Sequence, residues 1–179
     1  SGVVYGIVKK NSFDAFSRVN SFAHVNYTNK SPIKGVLLCI NGTGILYNWL
    51  RNELMRTKTS YEDLNSEAAK INIGSDGITI LPFGNGAERV LKNQNIGSQI
   101  LDVNFNNHTR AHIIRAAQEG IAFSFRYGID IMKEMGIEVS LMRAGKANMF
   151  LSDIFCEAIS NTSNATVELY NTDGSQGAA

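Results

Sequence analysis

The sequence predicts an α/β domain built on a mixed sheet flanked by helices, and three observations carry that prediction. Two β-rich segments, VVYGIV at residues 3–8 and RVNSFAHVNY at 18–27, precede any helical pattern. Further on, short apolar strand signals alternate with helical stripes. Between them lies a long helical period over residues 109–135, enough to span roughly 40 Å at ~1.5 Å per residue. Strand pairs followed by alternating strand and helix are the pattern of helices packed on a mixed sheet.

Each element follows from its local composition. VVYGIV is β-branched and aromatic. In RVNSFAHVNY, Val19, Ser21 and Ala23 fall on one face and Phe22 and His24 on the other, so it reads as a second strand paired with the first across the polar residues 9–12. Residues 26–32 supply turn chemistry, and 35–40 form an apolar run of buried-element length. From Gly42 the pattern turns helical, with Leu46, Leu50 and Leu54 four apart and Trp49 beside them. A short helix is expected over 61–70. ITILPF at 78–83 reads as a buried strand that Pro82 ends or confines to an edge, and 84–107, rich in Gly and Asn, reads mainly as loop.

In the long helix, Ile114, Ala117, Ile121, Phe125, Ile129 and Met132 recur at spacings of three and four. Gly120 and Gly128 within it each weaken a helix by about 1 kcal/mol relative to Ala, which points to close packing there. Met132 and Met135 are most simply core or helix-end packing. Gly136 ends the helix. Ile137, Val139 and Leu141 alternate as a strand, residues 150–159 carry a helical stripe, and TVELY at 166–170 is a final strand.

Bulk properties bound the function. The chain has 179 residues, the size of one domain, with 44% hydrophobic and 18% charged residues. Seventeen Lys and Arg against sixteen Asp and Glu leave a net charge of +1, which gives no basis for a nucleic-acid or anionic-membrane partner. No apolar run approaches the ~18–20 residues of a membrane span. SGVVYGIV lacks the basic flank and cleavage site of a secretory leader, and Cys39 and Cys156 form no metal or disulfide pattern, so a reducing cytoplasm is expected. The chain opens directly on strand and stops in a small-residue run, which reads as a piece of a longer protein.

Two glycine-bearing junctions are the candidate ligand sites. In RAGKANMFLSDIF, a strand runs into Ala144, Gly145 and Asn148, placing small residues and free backbone N–H groups at a helix start. That arrangement suits phosphate or a nucleotide held close to the backbone, or is an ordinary turn capped by Asn148. In NGTG, Gly44 lets something approach its backbone and Asn48 lies one turn on; Thr43 as a simple helix cap is the alternative. Neither is a P-loop. His24, His108 and His112 read as surface or capping residues, with no ligands to complete a metal site. Glu88 and Arg89 sit in a Gly-rich loop, where they reach a substrate or, more commonly, pair with each other. No residue offers itself as a catalytic base.

Taken in order, SGVVYGIV, NSFAHVN, GTGILYNWL, ILPFGNGAER, HTRAHIIRAAQEGIAFSFRYGIDIMKEMGI, RAGKANMFLSDIF and DGSQGAA resemble the C-terminal domain of the FGGY carbohydrate kinases, most of all its xylulokinase branch. The resemblance spans essentially the whole chain, as one domain over residues 1–179. It implies an actin-like, ribonuclease H-like ATPase fold, with ATP and Mg²⁺ bound between this domain and an N-terminal sugar-binding domain absent from the sequence. Gly44, Asn48, Ala144, Gly145 and Asn148 would then face the nucleotide. The reaction implied is transfer of the γ-phosphate to a ketopentose hydroxyl, xylulose or a related sugar, with glycerol, ribulose or gluconate as alternatives. A non-catalytic actin-like ATP switch is the reading from another class. The base and most sugar contacts would lie on the absent domain, so this piece alone is expected to be inactive; a homodimer is left open. Two departures stand out. Arg143-Ala144-Gly145 replaces consecutive glycines, leaving Arg143 beside the nucleotide or in solvent. Gly86-Ala87-Glu88-Arg89-Val90-Leu91 has an extra residue and no proline, which leaves that loop's role open.

Overall fold

A computed structural model of the chain describes residues 2–55 and 59–172. Strands β1 (Gly2–Val8), β2 (Asn20–Ala23) and β3 (Lys34–Ile40) form an antiparallel sheet in the order β1-β3-β2. The first two strands therefore do not pair with each other, contrary to the sequence expectation. The reason lies in the connection between them. Asp14 and Arg18 clamp that loop, with the Arg18 backbone N–H donating to Asp14 at 2.6 Å and its guanidinium at 2.7 Å. Arg18 also reaches Glu134 at 2.7 Å, and Ser12 donates to the Met135 carbonyl, so the loop crosses the end of the long helix. The central place goes to β3, whose Val36, Leu38 and Ile40 are fully buried.

Helix α1 (Gly44–Trp49) runs into a π-helical turn at Leu50–Leu54. The wider turn rotates the predicted leucine stripe: Leu46 and Leu50 stay buried, Leu54 swings out, and Met55 takes the inward position. Helix α2 (Tyr61–Ala68) begins with a reciprocal cap in which Ser60 and Asp63 each bond the other's backbone N–H. Strand β4 (Thr79–Leu81) ends at Pro82, as expected, and pairs with β5 (Gln99–Leu101) inside the segment read as loop. All three β5 residues are exposed, so no burial pattern marks them in the sequence.

Helix α3 (Arg110–Glu134) is capped by Thr109 and His112, the capping role expected of that histidine. Its two glycines are contact points: a Cβ on Gly120 would strike the Ile80 carbonyl, and one on Gly128 the Leu38 side chain. Strand β6 (Leu141–Gly145), helix α4 (Asp153–Ser163) and β7 (Thr166–Tyr170) form a parallel strand–helix–strand unit. The ladder thus starts at Leu141, where the predicted strand ended. Ile137 and Val139 do alternate, but they pack on the core without pairing.

Two apolar clusters flank α3. One gathers α1, α2, β4, α4 and the first half of α3 around Leu50, Leu64, Ile114, Ile121 and Phe155. The other joins the three-stranded sheet to the far half of α3 through Leu38, Ile40, Val90, Ile131 and Met132, the last as predicted. No described helix is long and apolar enough to cross a membrane.

Candidate functional site

The NGTG turn links β3 to α1, and its two glycines have opposite surroundings. Gly42 is buried against the chain, so that a Cβ there would be driven into the Pro82 carbonyl. Gly44 is exposed, and a Cβ would meet nothing within 4 Å. Its backbone is not left-handed either, so the fold itself does not demand glycine. Thr43 is buried and makes no side-chain cap, which sets aside the simple capping alternative. Asn48, one turn on, is exposed; its carbonyl accepts from Tyr61 at 3.0 Å and Asn52 at 3.2 Å. Tyr61 stacks on Tyr47, and the Arg51 guanidinium lies 4.5 Å from the Tyr61 ring centre. Gly44 and Asn48 therefore present one open polar face.

The second junction departs from its predicted form. Ala144 and Gly145 are the last residues of β6, paired with Leu169 and Tyr170, rather than a turn. Lys146 donates to the Tyr170 carbonyl at 2.8 Å, which extends the pairing by one bond. Asn148 then takes a positive φ of 52° and opens a single 3₁₀ turn, Asn148–Leu151. It does not cap α4. That role belongs to Ser152, whose hydroxyl accepts from the Phe155 N–H. Asn148 is exposed on the connecting turn, and Ala144 and Gly145 are half-buried. Arg143 pairs with Glu168 of β7 at 3.0 Å, and that carboxylate raises its already high pKa. DGSQGAA lies outside the described residues.

A buried hydrogen-bond network joins the elements that carry the two junctions. Ser152 donates to the Gln118 side-chain Oε1 at 2.6 Å, and the Gln118 side-chain amide donates to Tyr47 at 2.8 Å and to Asn65 at 3.0 Å. Tyr47 donates in turn to Asn65 at 2.8 Å. Burial pushes the Tyr47 phenol pKa well up, which keeps it a neutral donor. Ser152 follows Asn148 by one turn and Tyr47 precedes Asn48 by one residue. The network escaped sequence reasoning, since its members lie far apart and none belongs to a motif.

Glu88 and Arg89 do not pair with each other. Glu88 is buried and accepts from the Asn41 N–H at 2.8 Å, while Arg89 turns out to Asn20. Their expected ion pair fails because the buried Glu88 is taken up by the Asn41 N–H and the exposed Arg89 by Asn20 of β2. His108 accepts from the Asn104 N–H at 2.9 Å, and His112 contacts Asp76 at 3.1 Å. Among the described residues, no group of three or more His, Cys, Asp or Glu side chains could hold a metal ion.

Residues 17–177 match the C-terminal domain of the FGGY family of carbohydrate kinases. A xylulose kinase of Haemophilus influenzae is 32% identical over 143 residues, which cover 80% of this chain and 27% of that protein. The solved xylulose kinase of Rhodospirillum rubrum superposes with a TM-score of 0.80 at 20% identity, over 93% of this chain and 32% of the other. A glycerol kinase of Plasmodium falciparum, solved with ADP, gives 0.78 at 20% identity over 95% and 34%. The chain belongs to the FGGY carbohydrate kinase family and shares its actin-like fold. Xylulose kinases are among its curated relatives and structural neighbours, and it spans about a quarter to a third of their length.

Proposed function

We propose that this chain is the nucleotide-binding domain of an ATP-dependent sugar kinase whose acceptor is a ketopentose, xylulose being the leading candidate. The observation that carries the reading is Gly44, a glycine that neither backbone conformation nor packing requires and that faces open space. A missing side chain at such a place suits close approach by a ligand to the backbone. Asn48 offers an amide on the same face, and Asn148, Ala144 and Gly145 supply the second wall. Family membership and the xylulose kinase of H. influenzae support the reaction class and the sugar. The glycerol kinase neighbour, solved with ADP, supports an adenine nucleotide and keeps glycerol among the acceptors to be tried.

ATP supplies the phosphoryl group, and such catalysis is mainly positioning and charge stabilisation. Gly44 and Asn48 hold and orient the nucleotide from α1, and the Ala144–Asn148 junction fixes its other side. Mg²⁺ would offset the charge of the nucleotide, and the proton acceptor is assigned to residues other than those in this sequence. The test uses the intact polypeptide with ATP, Mg²⁺ and xylulose, ribulose, glycerol or gluconate, following ADP release. Turnover on xylulose is expected, falling by about tenfold or more in Gly44→Val and Asn148→Ala. ATP binding without turnover on any acceptor would instead favour a nucleotide switch.

A further inference from the structure

We propose that Glu88 is a positioning residue: its buried carboxylate holds the 41–44 turn from behind and thereby sets the Gly44 face presented to an adenine nucleotide. The inference rests on the nucleotide reading of that turn.

Three observations meet at this residue. Its Oε2 accepts from the Asn41 N–H at 2.8 Å, and the Asn41 amide returns a bond to the Ala87 carbonyl at 3.1 Å. The turn and the loop are thus tied twice, just where Gly42 presses on Pro82. The mount is rigid. Glu88 donates its N–H to Gln94, and its own carbonyl accepts from Leu91 and Asn93, at 2.9–3.0 Å. Val90, two residues on, is fully buried in the second apolar cluster. The chain from core to turn therefore runs Val90, Glu88, Asn41, Gly44.

The third observation is a cost. Glu88 is only 1% exposed, its Oε1 has no hydrogen-bond partner, and it makes no ion pair among the described residues. A buried carboxylate left half satisfied is a poor device for stability, so an apolar side chain of similar volume removes one cost while incurring another, the Asn41 N–H left without its acceptor. What an apolar side chain lacks is the acceptor that holds the Asn41 N–H. Stability and turn placement are therefore separable at this position.

The experiment compares Glu88→Leu, Glu88→Gln and Gly44→Val in the intact polypeptide, reading equilibrium ADP binding, thermal midpoint, and the KM values for ATP and xylulose. Glu88→Leu should move the thermal midpoint by no more than a few degrees while weakening ADP binding and raising the ATP KM about tenfold, with the xylulose KM held within about twofold. Glu88→Gln retains an acceptor oxygen and should stay within about threefold of the parent. Unchanged ADP binding in Glu88→Leu, or equal loss of stability and of both substrates in Glu88→Leu and Glu88→Gln, would overturn the proposal. Gly44→Val separates the two readings. If it too leaves ADP binding unchanged, the nucleotide face is misplaced; if it alone weakens binding, only the role of Glu88 falls. Should Glu88→Leu not fold, Glu88→Asp, one methylene short of Asn41, must show the same nucleotide-selective loss, and parental ADP binding in Glu88→Asp would overturn the proposal.

Discussion

Single side chains in this domain act where the chain has to be held against its own loops. Asp14 does so most directly. Its carboxylate takes the Arg18 guanidinium and backbone N–H, and Arg18 passes on to Glu134 at the end of α3. The Arg18 guanidinium holds the Asp14 carboxyl below its ordinary pKa, with burial opposing it. A depressed carboxylate stabilises the fold above its unfolded pKa of about 3.9, and that contribution disappears as pH falls through the lower folded value. Asp14→Asn, which leaves Arg18 with Glu134 as its carboxylate partner, should therefore cost about 2 kcal/mol at pH 7. The gap between parent and variant should close below pH ~4, checked by urea unfolding across pH. A gap that persists undiminished at pH ~2 would show that the pair is not its source. Gly44 and Asn48 were legible as candidates because a glycine cluster at a helix start and a polar group one turn on form a local pattern. Glu88 was not, because its partner lies 47 residues away and the adjacent arginine offered a simpler ion pair.

Elements were read well where burial follows a period and poorly where it does not. The stripe of α3 marks the helix almost to the residue, since one face packs along its entire length. In the unit β6–α4–β7, β7 was read to the residue, whereas β6 was expected over 137–141 and lies at Leu141–Gly145. Alternation at Ile137 and Val139 reports contact with the core, whereas pairing starts only where β7 lies alongside. Strand β5 had no signal to find, because edge pairing alone leaves no apolar pattern. The glycines of α3 offer a sharp test of element packing. Ala at an ordinary helix position gains about 1 kcal/mol over Gly. At Gly120 the added methyl would meet the Ile80 carbonyl of β4, and backbone does not move aside cheaply. Gly120→Ala should therefore destabilise by about 1–3 kcal/mol despite its better propensity. Gly44→Ala, with open space around it, should leave the thermal midpoint unchanged. Equal midpoints for both variants would mean that α3 does not rest on β4 as described.

Across the whole domain, α3 divides the interior into two apolar clusters; the 41–44 turn rests on one through Glu88 and Val90, while α1 and the start of α4 rest on the other. Tyr47 on α1, Asn65 on α2, Gln118 on α3 and Ser152 at the start of α4 meet in one buried network beneath that side. Gln118 is its hub, fully buried and bonded through both ends of its amide. The two junctions grow from different parts of the chain, and this network ties the elements that carry them. Gln118→Leu keeps the volume but strands the Ser152 hydroxyl and removes the donor to Tyr47, for a loss of about 2–3 kcal/mol. Ser152→Ala, which breaks one arm only, should cost about 1 kcal/mol. In the intact polypeptide both should also weaken ADP binding, Gln118→Leu the more, because each frees the Asn148 wall from the Gly44 wall. Asp14→Asn offers the control, acting at the Glu134 end of α3: it should lower the thermal midpoint by about 4–8 °C and leave ADP affinity intact. If Gln118→Leu and Asp14→Asn weaken ADP binding alike for the same loss of stability, then general loosening explains both, and the network does not place the site.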